Sequence, residues 1–591
     1  MTATAKTIAD DTGRSGRTAS LVPVVSWLPR YQVGWLGADA IAGLTLWGLL
    51  APEAMAYAGI AGLPPQMGLY TLLASLLVYA VFGTARHLSV QPTSASAALI
   101  ASTVVAVGVT TGDMAAYQSY AIMLVLLVGV GFGIAGLARM GFITQFLSKP
   151  VMDGFVTGLA VFVVIGQLNK LFGIEKGEGN SVQALVHVVS SVPDANWATF
   201  LVGASALALL FLLPRLSRRI PAGLVVLFLY ILISALLDLE GRYGVEVMGE
   251  IPRGLPSLGL PDVPASAILD LALAAFGIVL VAYSEAIGVA REFGEKHGYE
   301  VDANQELRAY GVVNLLSGLL GGMVAAGSMS GSAVKEGAGG RTQVSNLVAW
   351  VSVIITVLVL TPLFKTLPEA VLAALIIHAL WHIVVARKLK QVRLVSRTEF
   401  GLGLLTFFAV LLTDVLEGMI IGLVASLVWF IYRSTRPHLA SLGRGPGEGE
   451  VFSDMFRHPE NVPVPGLLIL RLDSPLFYAN AQSVRERVEV LMRSADPPPR
   501  ALLIDAGAQD DLDVTSAEVL KKLYAGLRLE GVEVYLAEVR APVLEFGRRV
   551  GLQDAIPEDH VFPTVPAAVA AFEAGRVDRH HDEEGIRDEQ Q

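Results

Sequence analysis

The sequence predicts a polytopic α-helical membrane protein followed by a small soluble α/β domain. Three observations carry that prediction. Mean hydropathy is +0.58, with 53% hydrophobic and 16% charged residues, and many apolar runs are long enough to cross a bilayer. Two stretches at span positions, 87–102 and 321–342, are broken by Gly, Ser and Pro. After Arg436 the apolar runs shorten to strand length and alternate with amphipathic helices.

The N-terminal tail is taken as 1–30. Its first part, Met1 to Ser20, is polar and lacks the apolar core of a signal peptide, so a flexible cytoplasmic tail is expected. Within a transport domain over 31–436, spans are predicted at 36–60, 67–83, 92–109, 117–138, 147–168, 197–213, 221–238, 266–290, 306–322, 328–340, 344–361, 370–386, 399–414 and 417–433. Region 170–196 is polar and amphipathic and belongs outside the bilayer. Basic loops set the orientation. Arg86 and His87, Arg139, the Arg215/Arg218/Arg219 cluster, Arg291 to Lys296 and Arg387 to Arg397 fall inside. The acidic or mixed loops around Asp113, Glu175 to Glu178, Asp238 to Asp262 and Asp414 to Glu417 fall outside. An even span count then leaves both termini in the cytoplasm.

The two broken segments follow from that topology. In His87 to Ser102 an extended piece, Leu88 to Gln91, precedes a small-residue helix with Pro92 in its first turn. In Gly321 to Thr342 an extended run, Met323 to Ala326, leads to a short helix from Ser330 to Glu336. The first half-helix runs outward and the second inward. Their N-termini, each carrying about half a positive charge, therefore face each other near the bilayer centre and make an anion site without a charged side chain. The plainer reading of either stretch is an ordinary loop; the matched pair argues against it.

The stretch 437–450, with its Gly-rich part Ser441 to Glu450, reads as a linker, and 451–575 as the soluble domain. Its strands are expected at 467–472, 501–505 and 532–537, and its helices at 481–493, 516–530, 542–550 and 565–574. The charged tail 576–591 is expected to be disordered. There is no cysteine, which excludes disulfides and thiol chemistry. A net charge of −10 gives no support to nucleic-acid binding. The soluble part shows no nucleophile triad, metal cluster or P-loop, so neither an enzyme nor a cofactor is expected.

Pro52 to Tyr70 (PEAMAYAGIAGLPPQMGLY) resembles the first-span signature of the SulP (sulfate permease, prestin-like) anion-transporter family. His87 to Pro92, Ser284 to Arg291 (SEAIGVAR), Asn304 to Glu306 and Gly327 to Thr342 resemble its third and eighth to tenth segments. The C-terminal part, with Asp505 and Asp513 to Ser516, is similar to the family's STAS domain. The resemblance implies two inverted seven-span repeats (14 segments) sorted into core and gate domains, a homodimer, and elevator-like alternation of access. The chain departs from the family pattern at Gln91 and Val324, where Gly and Pro are usual. It departs again at Ser330-Gly331, where the family often has Ser-Arg. The missing guanidinium weakens the case for sulfate and favours bicarbonate, or an anion that brings a cation with it.

Glu285 lies in an apolar run, and a carboxylate at that depth is functional by default. It is the candidate coupling-ion residue for H+ or Na+; its plainer role is a structural pair with Lys335 or Arg341. Candidate substrate ligands are Tyr57, by resemblance, and Thr93, Ser94, Ser328 and Ser330 at the two helix starts, where capping is the alternative role. Gly331 is expected to let a backbone N–H approach the anion. Glu53 stays open between a functional and an interfacial role. Lys335, Glu336 and Arg341 are expected to form ion pairs. His378 and His382, spaced i, i+4 without a third ligand, read as structural, and Thr515 as a helix cap. The leading function is a symporter for bicarbonate, a dicarboxylate such as fumarate, or sulfate. The alternatives are Na+-coupled bicarbonate uptake, a channel or exchanger, and last a regulatory scaffold. The expected partners are a small anion, H+ or Na+, membrane lipids and a second copy of the chain.

Overall fold

The computed structural model describes residues 22–110, 112–142, 148–175, 177, 179–216, 222–384, 393–413, 415–447, 450–554 and 556–575. The expected flexible tails 1–20 and 576–591, the basic residues Arg218, Arg219 and Arg387, Asp414 and the His382 side chain lie outside them. The chain divides into two compact units, 1–426 and 427–591.

Fourteen segments make up the membrane part among the described residues. The first seven are α1 (Leu36–Ile60), α2 (Pro65–Phe82), strand β1 (Ser89–Pro92) continuing into α3 (Ser94–Ala106), α4 (Met114–Leu137), α5 (Lys149–Phe172), α6 (Trp197–Leu216) and α7 (Ala222–Leu237). The second seven repeat the plan: α8 (Ala265–His297), α9 (Ala303–Leu319), strand β2 (Ala325–Ser328) continuing into α10 (Met329–Gly337), α11 (Val344–Ile355), α12 (Glu369–Val384), α13 (Arg397–Leu412) and α14 (Val415–Ser434). A separate helix, Ser181–Ser191, is capped by Asn180 and occupies the stretch expected outside the bilayer. Helix α8 runs seven residues past the expected 290, until Gly298 closes it in the left-handed conformation (φ 68°). Residues Val24–Arg30, expected in the N-terminal tail, instead form helical turns ahead of α1.

Packing sorts the helices into two groups. Helices α1 to α4 pack with α8 to α11, whereas α5 and α6 pack with α12 and α13. In lipid, association depends on close backbone approach rather than on apolar burial, so small residues mark the tightest crossings. A Cβ on Gly154 of α5 would lie 2.1 Å from the Gly403 carbonyl oxygen of α13, and one on Gly311 of α9 2.9 Å from the Gly133 nitrogen of α4.

Strands β1 and β2 pair antiparallel, with Ser89 opposite Ser328 and Pro92 opposite Ala325. Side chains satisfy the backbone groups that two short strands cannot pair. Asn314 of α9 donates to the Ala325 carbonyl (3.0 Å) and accepts from the Ala325 N–H (2.8 Å). Ser96 donates to the Val324 carbonyl (3.1 Å), and Ser332 accepts from the Ser89 N–H (2.9 Å). Gln343 and Asn346 of the α10–α11 region both donate to the Leu88 carbonyl (3.0 and 3.2 Å).

The soluble unit holds a six-stranded sheet in the order β4-β3-β5-β6-β7-β8. The strands are β3 (Leu439–Arg444), β4 (Phe452–Asp454), β5 (Leu467–Leu472), β6 (Ala501–Asp505), β7 (Glu533–Ala537) and β8 (Val561–Phe562). From β5 to β8 the pairing is parallel, and β3 joins β5 antiparallel. Helices α15 (Ala481–Ser494), α16 (Val514–Leu529) and α17 (Ala541–Arg549) supply the apolar cluster on one face. Helix α18 (Val565–Gly575) supplies the other. All five residues of β6 are buried, as a central parallel strand covered on both faces requires. Two expectations are corrected here. Much of the stretch 437–450, expected as a linker, is strand β3: Gly443 sits in a strand because Met455 and Asn461 fill the space its Cβ would take. The cap of α16 is Asp513, which accepts from the Ser516 N–H (3.0 Å), and not Thr515.

Replacing Asn314 by Leu keeps the volume but leaves both polar groups of Ala325 unpaired at membrane depth. A loss of about 2–4 kcal/mol is expected from two stranded groups. It is read as a lower Tm of the detergent-solubilised protein.

Candidate functional site

The two half-helices start at opposite ends of the β1–β2 ribbon and leave it in opposite directions. Their N-termini are therefore about 10 Å apart along the strands, at about 3.3 Å per residue, with both dipoles aimed at the space beside the ribbon. Helix α3 is closed by a capping box: Thr93 accepts from the Ser96 N–H (3.2 Å), and the Thr93 N–H donates to Ser96 Oγ (3.0 Å). Helix α10 is capped by Ser328, which accepts from the Gly331 N–H (3.4 Å) and shares a hydroxyl contact with Ser330 (3.0 Å). Ser330 and Met329 are exposed and Ser94 is half-buried, so water reaches both helix starts.

Four side chains complete this site. Tyr57 of α1 is buried, and Glu53, one turn earlier on the same helix, lies within electrostatic reach of its hydroxyl. Glu285 of α8 lies within electrostatic reach of the same phenol. Gln91, 1% exposed, donates from Nε2 to Glu53 Oε2 (3.0 Å) and accepts from Ser89 Oγ (3.2 Å). Both carboxylates are half-buried, and among the described residues neither has an ion-pair partner. The site thus combines two helix N-termini, two carboxylates and a phenol.

The structure brings Tyr57, Thr93, Ser94, Ser328, Ser330, Gly331 and Glu285 to one region, and adds Glu53 and Gln91. Gly331 serves a purpose the sequence reading lacks. A Cβ there would lie 2.3 Å from Gln91 Oε1, so the glycine makes room for the glutamine of the opposite strand. The expected ion pairs are corrected. Lys335 is fully buried and donates to the Arg86 carbonyl (3.0 Å), pairing with neither Glu285 nor Glu336. Glu336 binds Lys296 (2.7 Å) and His297 instead, and Arg341 offers only its backbone N–H, to Asp39 (2.8 Å). His378 lies edge-on to Phe211 at 4.8 Å. The amides Asn314, Gln343 and Asn346 were not picked out in the sequence, and Gln91 stood out only as a departure from the family pattern. The one available signal was an uncharged amide inside an apolar run, as in 309–320.

Facing half-helices inside a two-group bundle of fourteen segments define a membrane transporter for anions. The chain belongs to the sulfate permease family, whose pattern matches residues 36–406, with a STAS domain over 458–568. A probable sulfate transporter of Mycobacterium tuberculosis is 35% identical over 556 residues, covering 94% of this chain and 98% of that protein. Sulfate transporter 1.3 of Arabidopsis thaliana is 30% identical over 572 residues, covering 93% and 87%. Among solved structures, the murine Solute Carrier 26 family member A9 anion transporter in the inward-facing state superposes with a TM-score of 0.88 at 24% identity, over 96% of each chain. The transmembrane domain of the cyanobacterial bicarbonate transporter BicA gives 0.58 at 24% identity, over 67% of this chain and 98% of that one. At these identities the two structures attest to the fold. The family consists of transporters, not enzymes, and the protein is a multi-pass membrane protein.

Gly331→Ala should push Gln91 off Glu53 and raise the KM for anion uptake by roughly fivefold, about the worth of one hydrogen bond. Gln91→Ala removes the same hydrogen bond, so the double variant should lose little more than either single one, and uptake kinetics of the three variants measure that non-additivity.

Proposed function

We propose that the protein is a secondary active symporter that takes up a small oxyanion together with protons. The anion sits between the α3 and α10 N-termini, held by the hydroxyls of Thr93, Ser94, Ser328 and Ser330 and by Tyr57. Glu285 carries the coupling proton. The observation that carries this reading is the pair of carboxylates, Glu53 and Glu285, flanking Tyr57 beside two helix N-termini with no side-chain cation among them. Two fixed negative charges beside an anion are repulsive unless a cation arrives with the substrate. A proton meets that need most simply, because each carboxylate accepts one without further ligands.

Sulfate is supported by the names of the relatives, and bicarbonate by the absence of a fixed cation at position 331. Fumarate remains the dicarboxylate candidate. Access alternates by an elevator-like displacement of the α1–α4/α8–α11 group against the α5–α7/α12–α14 group, in a homodimer in the cytoplasmic membrane with both termini and the STAS domain inside. A sodium-coupled cycle is the second reading, because Glu285 with nearby hydroxyls and carbonyls offers the oxygen ligands a hard cation takes.

The test is uptake of bicarbonate, sulfate and fumarate into proteoliposomes under an imposed proton gradient, then a sodium gradient. A proton gradient should stimulate uptake of one of them, and Glu285→Gln should abolish that stimulation. Uptake driven by sodium alone would replace the proton with a sodium ion at Glu285. Uptake indifferent to both gradients would sink the symport reading in favour of an exchanger or channel.

A further inference from the structure

A second polar cavity, of about 590 Å³, lies away from the half-helix site. Four pieces of chain build it: the turns Val24–Trp35, the connection 83–87 ahead of β1, the end of α8, and the loop 339–343 after α10. Three arginines, Arg30, Arg86 and Arg341, line it against one carboxylate, Glu336. Arg86 and Arg341 both line it, both are exposed, and neither has an ion-pair partner among the described residues. Arg86 is oriented by the ring of Tyr299, with its guanidinium 5.6 Å from the ring centroid.

The nearby carboxylates are already committed. Glu336 is held by Lys296 and His297. Asp39 accepts from the N–H groups of Arg341 (2.8 Å) and Thr342 (3.2 Å) and from the Thr342 hydroxyl (2.7 Å). Two donors are idle: the indole N–H of Trp27 and the hydroxyl of Tyr31 are buried at the cavity wall and have no hydrogen-bond partner among the described residues. A buried donor without an acceptor is costly, and its usual resolution is a ligand or water that supplies one.

We infer that this cavity binds a phosphate-bearing anion, clamped by the Arg86 and Arg341 forks and accepting from the Trp27 N–H. Paired guanidiniums suit phosphate oxygens, which they can bind bidentately. The volume is that of a small-molecule site, larger than an inorganic ion needs. The flanking walls are aromatic, and the adjoining turns expose Val25, Leu28 and Val33, as a segment lying at a lipid interface does. The same chemistry is available from an anionic lipid headgroup or from a soluble phosphate ester. The cavity is separate from the half-helix site, because Lys335 and Gln343 close the space between by binding the Arg86 and Ala85 carbonyls (3.0 and 2.7 Å). The inference is therefore independent of the transport mechanism proposed above. Occupancy would nevertheless be felt there, since 83–87 leads into β1 and 339–343 follows α10.

The full-length protein in phosphatidylcholine nanodiscs provides the test. Glycerol 3-phosphate, inorganic phosphate and sulfate are titrated by calorimetry, and bound phosphatidic acid is counted by native mass spectrometry. One saturable phosphate ligand per chain is expected. Arg86→Gln with Arg341→Gln should weaken it by roughly tenfold or more, as loss of two charge-assisted contacts implies. Trp27→Phe should weaken it less, and Arg253→Gln, in a distant exposed loop, not at all. Saturation by phosphatidic acid alone assigns the site to a headgroup; saturation by glycerol 3-phosphate assigns it to a soluble ester. No saturation in either arm, unchanged binding in the double arginine variant, or saturation by sulfate but not by phosphate would overturn the inference.

Discussion

Everything in the membrane part depends on how backbone hydrogen bonds are met where two helices are broken inside it. Lipid offers no partners for N–H and C=O groups, so an interrupted span must be rescued by protein. The rescue has two layers. Strands β1 and β2 pair with each other, and a ring of uncharged amides and hydroxyls takes the groups left over. Asn314 behaves as a surrogate strand residue, donating to and accepting from Ala325. The ring is drawn from both halves of the chain, so neither repeat can hold its broken segment alone. With the breaks secured, the two helix N-termini are left free to act on a ligand rather than on each other.

Those N-termini give the site its electrostatic character. A positive potential made of N–H dipoles is weaker than that of an arginine, but it is rigid and needs no reorganisation. Against it stand Glu53 and Glu285, whose charge depends on whether protons are present. Gln91 ties Glu53 of α1 to the ribbon. Among the described residues Glu285 has no such tether. Two carboxylates of the same type are therefore set in different mechanical situations, one braced and one free to exchange its partner.

Much of this was legible in the sequence, and the parts that were not share a cause. Hydropathy and the glycine–serine breaks gave the number of spans, the two broken segments and their opposed directions, because each of those is a local property of the chain. The STAS strands at 467–472 and 501–505 were equally plain, being short apolar runs between turns. The failures were matters of long-range pairing. Leu439–Arg444 reads as linker because Gly443 and the glycines that follow are visible and its partner strand, 28 residues on, is not. Lys335 reads as half of a surface ion pair because nothing local announces that the Arg86 carbonyl, 249 residues away, will receive it. Gln91 looked like a simple departure from a family pattern. Its meaning emerged only when Gly331 was found opposite.

The contact between Gln91 and Gly331 also constrains how the site can change over evolutionary time. The two residues belong to different repeats, yet one occupies the volume the other lacks. A side chain at 331 displaces the Gln91 amide from the place it holds here. The reverse step, shrinking 91 first, leaves only a small void beside a glycine. Mutational routes between the two versions of the site are therefore ordered. A small residue at 91 leaves room at 331 first, whereas a side chain at 331 first costs the hydrogen bond between Gln91 and Glu53.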